Sequence, residues 1–332
     1  MTSGRILALV AIAVVVVFVI AVIAVTQPKP IETVTQQDRL DAIPSSAVKQ
    51  TPESDLYKPV MHSSLWSQPI PMAGPVNTAG AEDSPFITAN GTWFFFFFTP
   101  DVSVPAEDQL TDGVTGIWWC QRTADGWSSP EKIILCDDVS LDGAEFVLGN
   151  TMWFASVRAG NLGEIDVFTS HYEDGMWTDV QNAGAQLNED YDIGEFHLTA
   201  DGDTMYFHSG KWESGEDMDL WITHKTSSGW STPALVPGVN TIANDGYPYV
   251  SPDGGQLLFT RNQSTHGGVG PSIYRCVLQS NGTWSAPEEI LSNFAAEATM
   301  DDEGNLYFVH HYFDSSNNMV EADIYMCELL GS

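Results

Sequence analysis

The stretch Tyr249-Val250-Ser251-Pro252-Asp253-Gly254-Gly255-Gln256-Leu257-Leu258-Phe259 decides the fold. Two short apolar segments flank an Asp-Gly pair, and both residues of such a pair tolerate the positive φ angles of a tight turn. The stretch therefore predicts a β-hairpin whose second strand is aromatic. The same pattern recurs around Asp201-Gly202 and Glu303-Gly304, which shows that the hairpin is part of a repeat.

Each repeat contains two further elements in a fixed order. A third apolar strand follows the hairpin, and a turn with glycine then leads to a strand that begins with the pattern Trp-x-x-Pro. The tryptophans of this pattern are Trp66, Trp127, Trp230 and Trp284, and a fifth copy at Trp177 lacks the proline. Four short strands in each repeat predict an all-β fold, the β-propeller, in which radial repetition of blades protects the sheet edges. A β-sandwich is the alternative, but it gives no reason for four elements to recur five times.

The two ends of the repeat complement each other. The strand at Trp66 precedes the first full repeat, whereas the last repeat ends near Leu330 without a tryptophan strand of its own. We predict that the N-terminal strand completes the last blade and closes the ring. The domain is then a five-bladed propeller of four-stranded blades over residues 61–332.

The repeat resembles the WD40-like repeats of the TolB propeller family. The shared order is Asp-Gly, Tyr-Phe, Asp-Ile-Tyr and Trp-x-x-Pro, and the turn Ser251-Pro252-Asp253-Gly254 is the signature of that family. The resemblance extends over residues 63–330 and is clearest from Glu195 to Tyr325. TolB itself has six blades and an additional N-terminal domain, which this chain does not match. The resemblance implies a platform for interactions rather than an enzyme.

The first 25 residues predict a cytoplasmic stub and a membrane anchor. Residues 6–25 contain no charged or polar side chain and follow Arg5. A helix of this length, at about 1.5 Å per residue, spans a hydrocarbon core of roughly 30 Å. A cleaved signal peptide is the alternative, but its apolar region is usually about 7–15 residues long, and Ala24-Val25-Thr26 is a poor cleavage site. We expect a single-pass protein of the cell membrane, with a cytoplasmic N-terminus and an extracytoplasmic propeller.

Residues 26–60 are polar and contain five prolines, which predicts an extended tether between the anchor and the propeller. The sequence has 44 acidic and 12 basic residues and a formal net charge of −32. This charge argues against nucleic acid as a partner, because binding to phosphates needs clustered cations. It agrees with an archaeal or salt-adapted cell surface, as do three glycosylation acceptor motifs. These motifs begin at Asn90, Asn262 and Asn281.

Several carboxyl groups are predicted to meet at the mouth of the central channel, because innermost strands line that channel. Glu145, Glu195 and Glu297 open the innermost strands of blades two, three and five, and Ser84 and Tyr247 hold that position in blades one and four. In the last two blades an acid lies two residues earlier, at Glu82 and Asp245. Two interpretations stay open: a ligand or metal site, and a structural glutamate that belongs to the repeat.

The sequence indicates no cofactor, and no spacing typical of a His-based metal site is present. Ca²⁺ is the ion that a ring of carboxylates would attract, and a chelator would then lower the melting temperature. A second regularity places a basic residue eight positions before an aspartate. It predicts structural ion pairs between Arg158 and Asp166 and between Lys211 and Asp219.

Two functions follow from these features. The first is a non-catalytic platform that binds a protein, peptide or glycan of the cell envelope, because a carboxylate that recurs in several blades suggests a structural role. The alternative is a cell-surface glycoside hydrolase, in which Glu82 acts as base or nucleophile, Glu145 as modulator and Glu195 as acid. Five-bladed glycosidases of the arabinanase and invertase groups carry three acids on inner strands of successive blades in this way.

Overall fold

The structure, a computed structural model, describes residues 33–136, 139–210 and 218–331. Within these ranges the chain is almost entirely β. Its helices are short, namely α1 (Gln36–Ala42), α2 (Ala106–Gln109) and α3 (Ala185–Asn188). The first two strands, β1 (Val60–Met61) and β2 (Ile70–Pro71), precede five repeat units.

Each repeat unit is an antiparallel meander in which neighbouring strands pair in chain order. Unit 1 comprises β3 (Ala81–Ile87), β4 (Trp93–Thr99), β5 (Gly116–Thr123), β6 (Gly126–Trp127) and β7 (Glu131–Lys132). Unit 2 comprises β8 (Leu141–Leu148), β9 (Thr151–Val157), β10 (Asp166–Glu173) and β11 (Met176–Asn182). Unit 3 comprises β12 (Phe196–Leu198), β13 (Thr204–Ser209), β14 (Asp219–Thr226), β15 (Gly229–Trp230) and β16 (Ala234–Leu235). Unit 4 comprises β17 (Asp245–Val250), β18 (Gln256–Arg261), β19 (Ser272–Val277) and β20 (Glu288–Ser292). Unit 5 comprises β21 (Ala295–Met300), β22 (Leu306–Phe313) and β23 (Met319–Cys327).

The N-terminal strand completes unit 5, as the sequence predicted. Ile70 and Pro71 of β2 pair with Met326 and Tyr325 of β23, and Trp66 forms a β-bridge with Leu329. One further strand, β1, adds to the outer edge of unit 4 through β20. Residues 60–71 therefore tie the beginning of the chain to its last two units.

The recurring tryptophans pack between neighbouring units. Three of the five lie near the outer edge of their own unit and contact an aromatic ring on the second strand of the preceding unit. The pairs, with the distances between ring centroids, are Trp177 and Trp93 (6.3 Å), Trp230 and Trp153 (6.0 Å), and Trp284 and Tyr206 (6.3 Å). Burying rings of this size contributes about 1.5–3 kcal/mol per side chain, so these three contacts stabilise the interfaces between units 1 and 2, units 2 and 3, and units 3 and 4.

Residues 33–60 do not form the extended tether that their prolines suggested; they pack against the propeller, and we call them the N-terminal strap. Thr35 bridges to Glu131 at the edge of unit 1, and Val60 pairs with Ser292 at the edge of unit 4. The physical reason is that charged side chains of the strap reach buried partners on the propeller. The pairs are Arg39 with Glu82, Lys49 with Glu321, and Asp55 with His310. Composition alone does not reveal those partners.

The expectation of a single-pass membrane protein is contradicted within the described residues. No helix in 33–136, 139–210 or 218–331 is long and apolar enough to cross a membrane. The segment 6–25 that carried the expectation lies outside these ranges. Asn90, Asn262 and Asn281 are exposed, and their glycosylation stays a prediction.

Candidate functional site

The innermost strand of units 1, 2, 4 and 5 contains a β-bulge at the same place. Two residues face one residue of the second strand there, and the first of the two has a positive φ. These first residues are Ser84 (φ 44°), Ala144 (φ 53°), Tyr247 (φ 54°) and Glu297 (φ 54°). A side chain with a Cβ is strained at such angles, and bulges redirect the side chains that they carry. Four of the nine non-glycine residues with a positive φ among the described residues therefore lie in these bulges, next to the candidate residues.

The bulges correct the alignment of the glutamates. Glu297 is the first residue of its bulge and corresponds to Ser84 and Tyr247, whereas Glu145 is the second residue of its bulge. Glu195 lies four residues before the turn residue Thr199, as Glu297 lies four residues before Asp301, so these two glutamates hold the same position. Glu145 is thus one residue out of step with the other two. The three glutamates are therefore not all copies of one structural residue, which weakens the reason for regarding them as structural.

The acids that do recur structurally lie two residues before each bulge. Asp142 and Asp245 are buried there, and Arg158 and Arg261 bind them at 2.6 Å. Glu82 holds the same position in unit 1 and forms a fully buried ion pair with Arg39 of the strap. Glu82 and Asp245 therefore stabilise the fold, contrary to the expectation that they lie at the channel mouth.

The predicted ion pair between Arg158 and Asp166 is replaced by the pair between Arg158 and Asp142. Asp166 instead accepts hydrogen bonds from the backbone N–H groups of Leu162 (2.7 Å) and Gly163 (2.9 Å). It also accepts one from the side chain of Asn182 (2.6 Å). The second predicted pair cannot be placed, because Lys211 lies outside the described residues.

Asp83 takes the place in the site that the sequence assigned to Glu82. Successive side chains of a strand point to opposite faces, so the neighbour of a buried structural acid faces the other way. The Asp83 carboxylate lies 3.4 Å from Nε2 of His311 and accepts a hydrogen bond from the backbone N–H of Ser84 (2.9 Å). Burial raises its pKa, but His311 and the hydrogen bonds outweigh burial, and the net pKa is lowered.

Ser84 connects two glutamates from other units. Its hydroxyl oxygen lies 3.0 Å from Oε1 of Glu195 and 2.9 Å from Oε2 of Glu297, and its backbone N–H donates to the same oxygen of Glu297 at 3.0 Å. The two glutamate oxygens are therefore at most about 6 Å apart, a separation at which carboxyl groups share protons and charge. Units 1, 3 and 5 thus meet at one hydroxyl group.

These residues line a pocket that we call the carboxyl pocket, defined by Ser84, Glu145, Glu195, Tyr247 and Glu297. Its floor is aromatic. The ring of His197 lies 4.5 Å from the rings of Phe146 and Tyr249, and burial lowers the pKa of His197 to about 3, so the imidazole is neutral. His197 and Tyr249 also line a second, largely apolar pocket, to which Phe146 contributes.

Glu145 is the most unusual of these side chains. It is 5% exposed, and neither of its carboxyl oxygens has a hydrogen-bond partner. Burial raises its pKa well above the usual value, and the nearby Glu195 adds to the effect. A buried polar group without a partner costs about 1–3 kcal/mol, which native proteins seldom retain without a use for the group.

Glu195 and Glu297 also hold their protons more tightly than usual. Burial raises the pKa of Glu195 to about 8; the hydrogen bond of the Ser84 hydroxyl lowers it, and the charge of Asp83 raises it by a smaller amount. Burial raises the pKa of Glu297 as well, and the charges of Asp83 and Glu195 raise it further. Three carboxyl groups of the pocket therefore have raised pKa values, whereas the pKa of the adjacent Asp83 is lowered. Such divergence within one site is how acid and base roles are separated in enzymes.

The oxygens of Asp83, Ser84 and Glu297 are ligands of the kind that Ca²⁺ prefers. Binding would have to displace the protons that the raised pKa values retain. The Ca²⁺ hypothesis therefore stays a prediction, to be checked by the effect of a chelator on the melting temperature.

Comparison with known proteins places the fold among β-propellers. No protein-family model matches the sequence, and no curated protein matches it. A thermostable family-43 glycoside hydrolase is similar in structure, with 10% identity over 78% of this chain and 96% of that one and a TM-score of 0.51. A second structure, named only as a glycoside hydrolase, has 9% identity over 86% and 97% and a TM-score of 0.50. TolB from Acinetobacter baumannii has 14% identity over 73% of this chain and 51% of that one, with a TM-score of 0.40.

These comparisons correct two expectations. They support a β-propeller but do not show membership of the TolB-type family. The non-catalytic platform was inferred from that family, whereas the structures with the higher TM-scores are hydrolases. The comparisons therefore contradict the platform. They give no support to an archaeal cell surface.

Proposed function

We propose that the chain is a glycoside hydrolase built on a five-bladed β-propeller, with its active site in the carboxyl pocket. The observation that carries the proposal is a cluster of four acids. Glu145, Glu195 and Glu297 line the pocket and have raised pKa values, whereas Asp83, which accepts from the N–H of the pocket residue Ser84, has a lowered pKa. Glycosidases of most families need one carboxylic acid and one carboxylate on either side of the scissile bond. The hydrolase fold of the similar structures agrees with this assignment.

Glu195 is the proton donor in this proposal. Its pKa of about 8 keeps it protonated at neutral pH, and its Oε1 lies at the pocket beside the Ser84 hydroxyl. A carboxylic acid in this state protonates the glycosidic oxygen as the bond breaks, a contribution of about 10²–10⁴-fold in rate. The leaving group then departs as a neutral alcohol and not as an alkoxide.

Asp83 supplies the ionised carboxylate at the anomeric carbon. His311 faces it and favours its charged form, so that it can stabilise the positive charge of an oxocarbenium-like transition state. Asp83 acts either as a general base on a water molecule or as a nucleophile at the anomeric carbon of the sugar. Glu145 is the third carboxyl group of the pocket, and the nearby Glu195 adds to the effect of burial in raising its pKa.

Ser84 and Glu297 position these groups. Glu297 Oε2 accepts hydrogen bonds from the N–H and the O–H of Ser84. The hydroxyl oxygen of Ser84 is then free to accept a hydrogen bond from the protonated carboxyl group of Glu195. This assignment of donors satisfies all three contacts at once.

The test measures hydrolysis by the full chain on a panel of polysaccharides and on aryl glycosides. We expect release of reducing ends or of the phenol from at least one substrate, and a fall of about 10²–10⁴-fold in kcat/KM for Glu195→Gln and Asp83→Asn. Aryl glycosides with acidic leaving groups need no proton, so Glu195→Gln retains more activity on them.

Glu173→Gln is the matched control, because Glu173 is exposed at the end of β10 and lies outside the pocket. It should keep full activity. Hydrolysis that survives unchanged in both Glu195→Gln and Asp83→Asn would overturn the assignment of the residues. A chain that hydrolyses none of the glycans and none of the aryl glycosides would overturn the proposed function itself.

A further inference from the structure

Three metal-ligand side chains meet on unit 4, and none of them lines the carboxyl pocket. They are His62, just after β1, His266, between β18 and β19, and Glu289, on β20. One nitrogen of each histidine and one carboxylate oxygen all lie within 4.8 Å of one another. Three separate segments of the chain thus bring two imidazoles and a carboxylate together.

The two imidazole rings stack face to face, with their centroids 4.1 Å apart and an angle of 13° between their planes. Each ring has one nitrogen held by a neighbour. His62 Nε2 lies 2.9 Å from the hydroxyl of Ser292, and His266 Nδ1 lies 3.1 Å from the carboxylate of Glu289. If these nitrogens carry the protons, the second nitrogen of each ring keeps its lone pair. Partners of this kind orient the histidine ligands of metal sites.

Two stacked imidazoles are unfavourable when both are charged. Neutral imidazole is the form that binds metal ions.

Glu289 provides a fixed negative charge beside the rings. Its side chain is fully buried, and it accepts hydrogen bonds from Ser264 (2.6 Å) and from the N–H and O–H groups of Thr265 (2.5 Å each). A carboxylate held by several donors in this way compensates part of the charge of a cation.

We propose that His62, His266 and Glu289 bind a divalent transition-metal ion of the zinc type. Imidazole and carboxylate are ligands of Zn²⁺, with bonds of about 2.0–2.2 Å, and water completes the tetrahedron. Ca²⁺ and Mg²⁺ select oxygen ligands and are excluded by the two imidazoles. The donors must approach one another by about an ångström from their present separation. His266 can do so, since half of its side chain is exposed and it lies on a loop.

The site has a structural consequence. His62 lies on the N-terminal segment that closes the ring, whereas His266 and Glu289 belong to unit 4. A bound ion therefore ties the closing segment to the propeller. It should raise the melting temperature, because it binds the folded chain and not the unfolded one.

The test titrates the full chain with Zn²⁺ alone, by calorimetry and by competition with a chromophoric chelator. We expect one site per chain, and a melting temperature that rises when Zn²⁺ is added. His266→Ala should weaken binding by at least tenfold and remove the thermal shift, and His62→Ala should do the same. His224→Ala, which removes an exposed histidine of unit 3, should change neither.

The proposal is overturned if Zn²⁺ does not bind saturably, or if His266→Ala binds it as tightly as the original chain. Equal binding of Ca²⁺ would also overturn it, because oxygen ligands would then be responsible. His266 lies on an exposed loop, and its removal leaves the core intact. If His62→Ala does not fold, His266→Ala still decides the question.

Discussion

Glu82 and Asp83 are neighbours in the chain, but their side chains lie in different surroundings. Glu82 lies in a fully buried ion pair with Arg39, whereas Asp83 contacts His311 and the backbone N–H of Ser84 beside the carboxyl pocket. Both acids are visible in the sequence, but the sequence does not show which one faces the channel. The answer depends on the bulge at Ser84, which resets the alternation of the strand, and on a partner, Arg39, that lies 43 residues earlier.

The activity should depend on pH through Glu195. Its carboxyl must be protonated to donate, so kcat/KM should fall as the pH rises through about 8, the pKa of this group. A pH profile on an aryl glycoside measures this limb. In Glu195→Gln the limb should be absent from the residual activity on a substrate with an acidic leaving group. An alkaline limb that persists in that variant would assign the titration to another group.

Replacing Glu145 by methionine should stabilise the protein and lower its activity. The pKa of Glu145 is higher in the folded chain than in the unfolded one, so folding takes up a proton and becomes less favourable as the pH rises above about 4.5. Methionine removes both this loss and the unpartnered oxygens.

We expect Glu145→Met to raise the free energy of unfolding by about 1–3 kcal/mol at pH 8, as measured with urea, and by less at pH 4. Glu173→Met, at an exposed site, is the control. A gain that does not change between the two pH values would contradict the role of the carboxyl proton.

At the level of the strand, the hairpins were predictable and the bulges were not. Asp-Gly and Glu-Gly pairs fix a turn locally, and Tyr249 to Phe259 forms the strands that its sequence predicts. A bulge depends on how one strand pairs with the next, which no local pattern records. For this reason Glu297 was aligned with Glu145, although it lies one position earlier in its bulge.

The strap is held by a buried cation, and its removal should be costly. The guanidinium of Arg39 binds Glu82, donates to the carbonyl of Val76 at 2.7 Å and lies 4.4 Å from the ring centre of Phe98. Arg39→Met leaves Glu82 charged and buried without its partner. We expect a loss of about 3–5 kcal/mol in the free energy of unfolding, measured with urea.

The double variant Arg39→Met with Glu82→Leu should recover most of that loss, because no charge then remains buried. Arg122→Met is the control, since Arg122 is exposed and covers Trp127 from the surface. A double variant as unstable as Arg39→Met alone would show that the strap is held by packing and not by charge.

For the molecule as a whole, the repeat predicted the all-β architecture and the closure at Trp66. The Zn²⁺ candidate could not be predicted, because His62 and Glu289 are more than two hundred residues apart and match no ligand spacing. The packed strap could not be predicted either. Its prolines and polar residues are typical of linkers. Only Arg39, Lys49 and Asp55, which pair with side chains of the propeller, distinguish it from a linker.

Ring closure should contribute more to stability than any other interface between units. Trp66 is 3% exposed and donates from its indole N–H to the carbonyl of Gly304 at 2.9 Å. Trp66→Ala should lower the free energy of unfolding by about 3–5 kcal/mol and expose residues 33–72 to proteolysis. Trp284→Ala, the equivalent change in unit 4, should cost less and leave that segment protected. Equal losses would show that the closing contact is an interface like the others.

The closing contact also has a consequence for biosynthesis. Trp66 is made early and meets Leu329 only when about 260 further residues have been added. At roughly 5–20 residues per second, the first strand waits roughly 15–50 s for its partner on the ribosome. During that interval the outer edge of the incomplete ring is open to pairing with other nascent chains. Translation speed and chaperone access, rather than final stability, should then determine how much of this protein a cell obtains in its closed form.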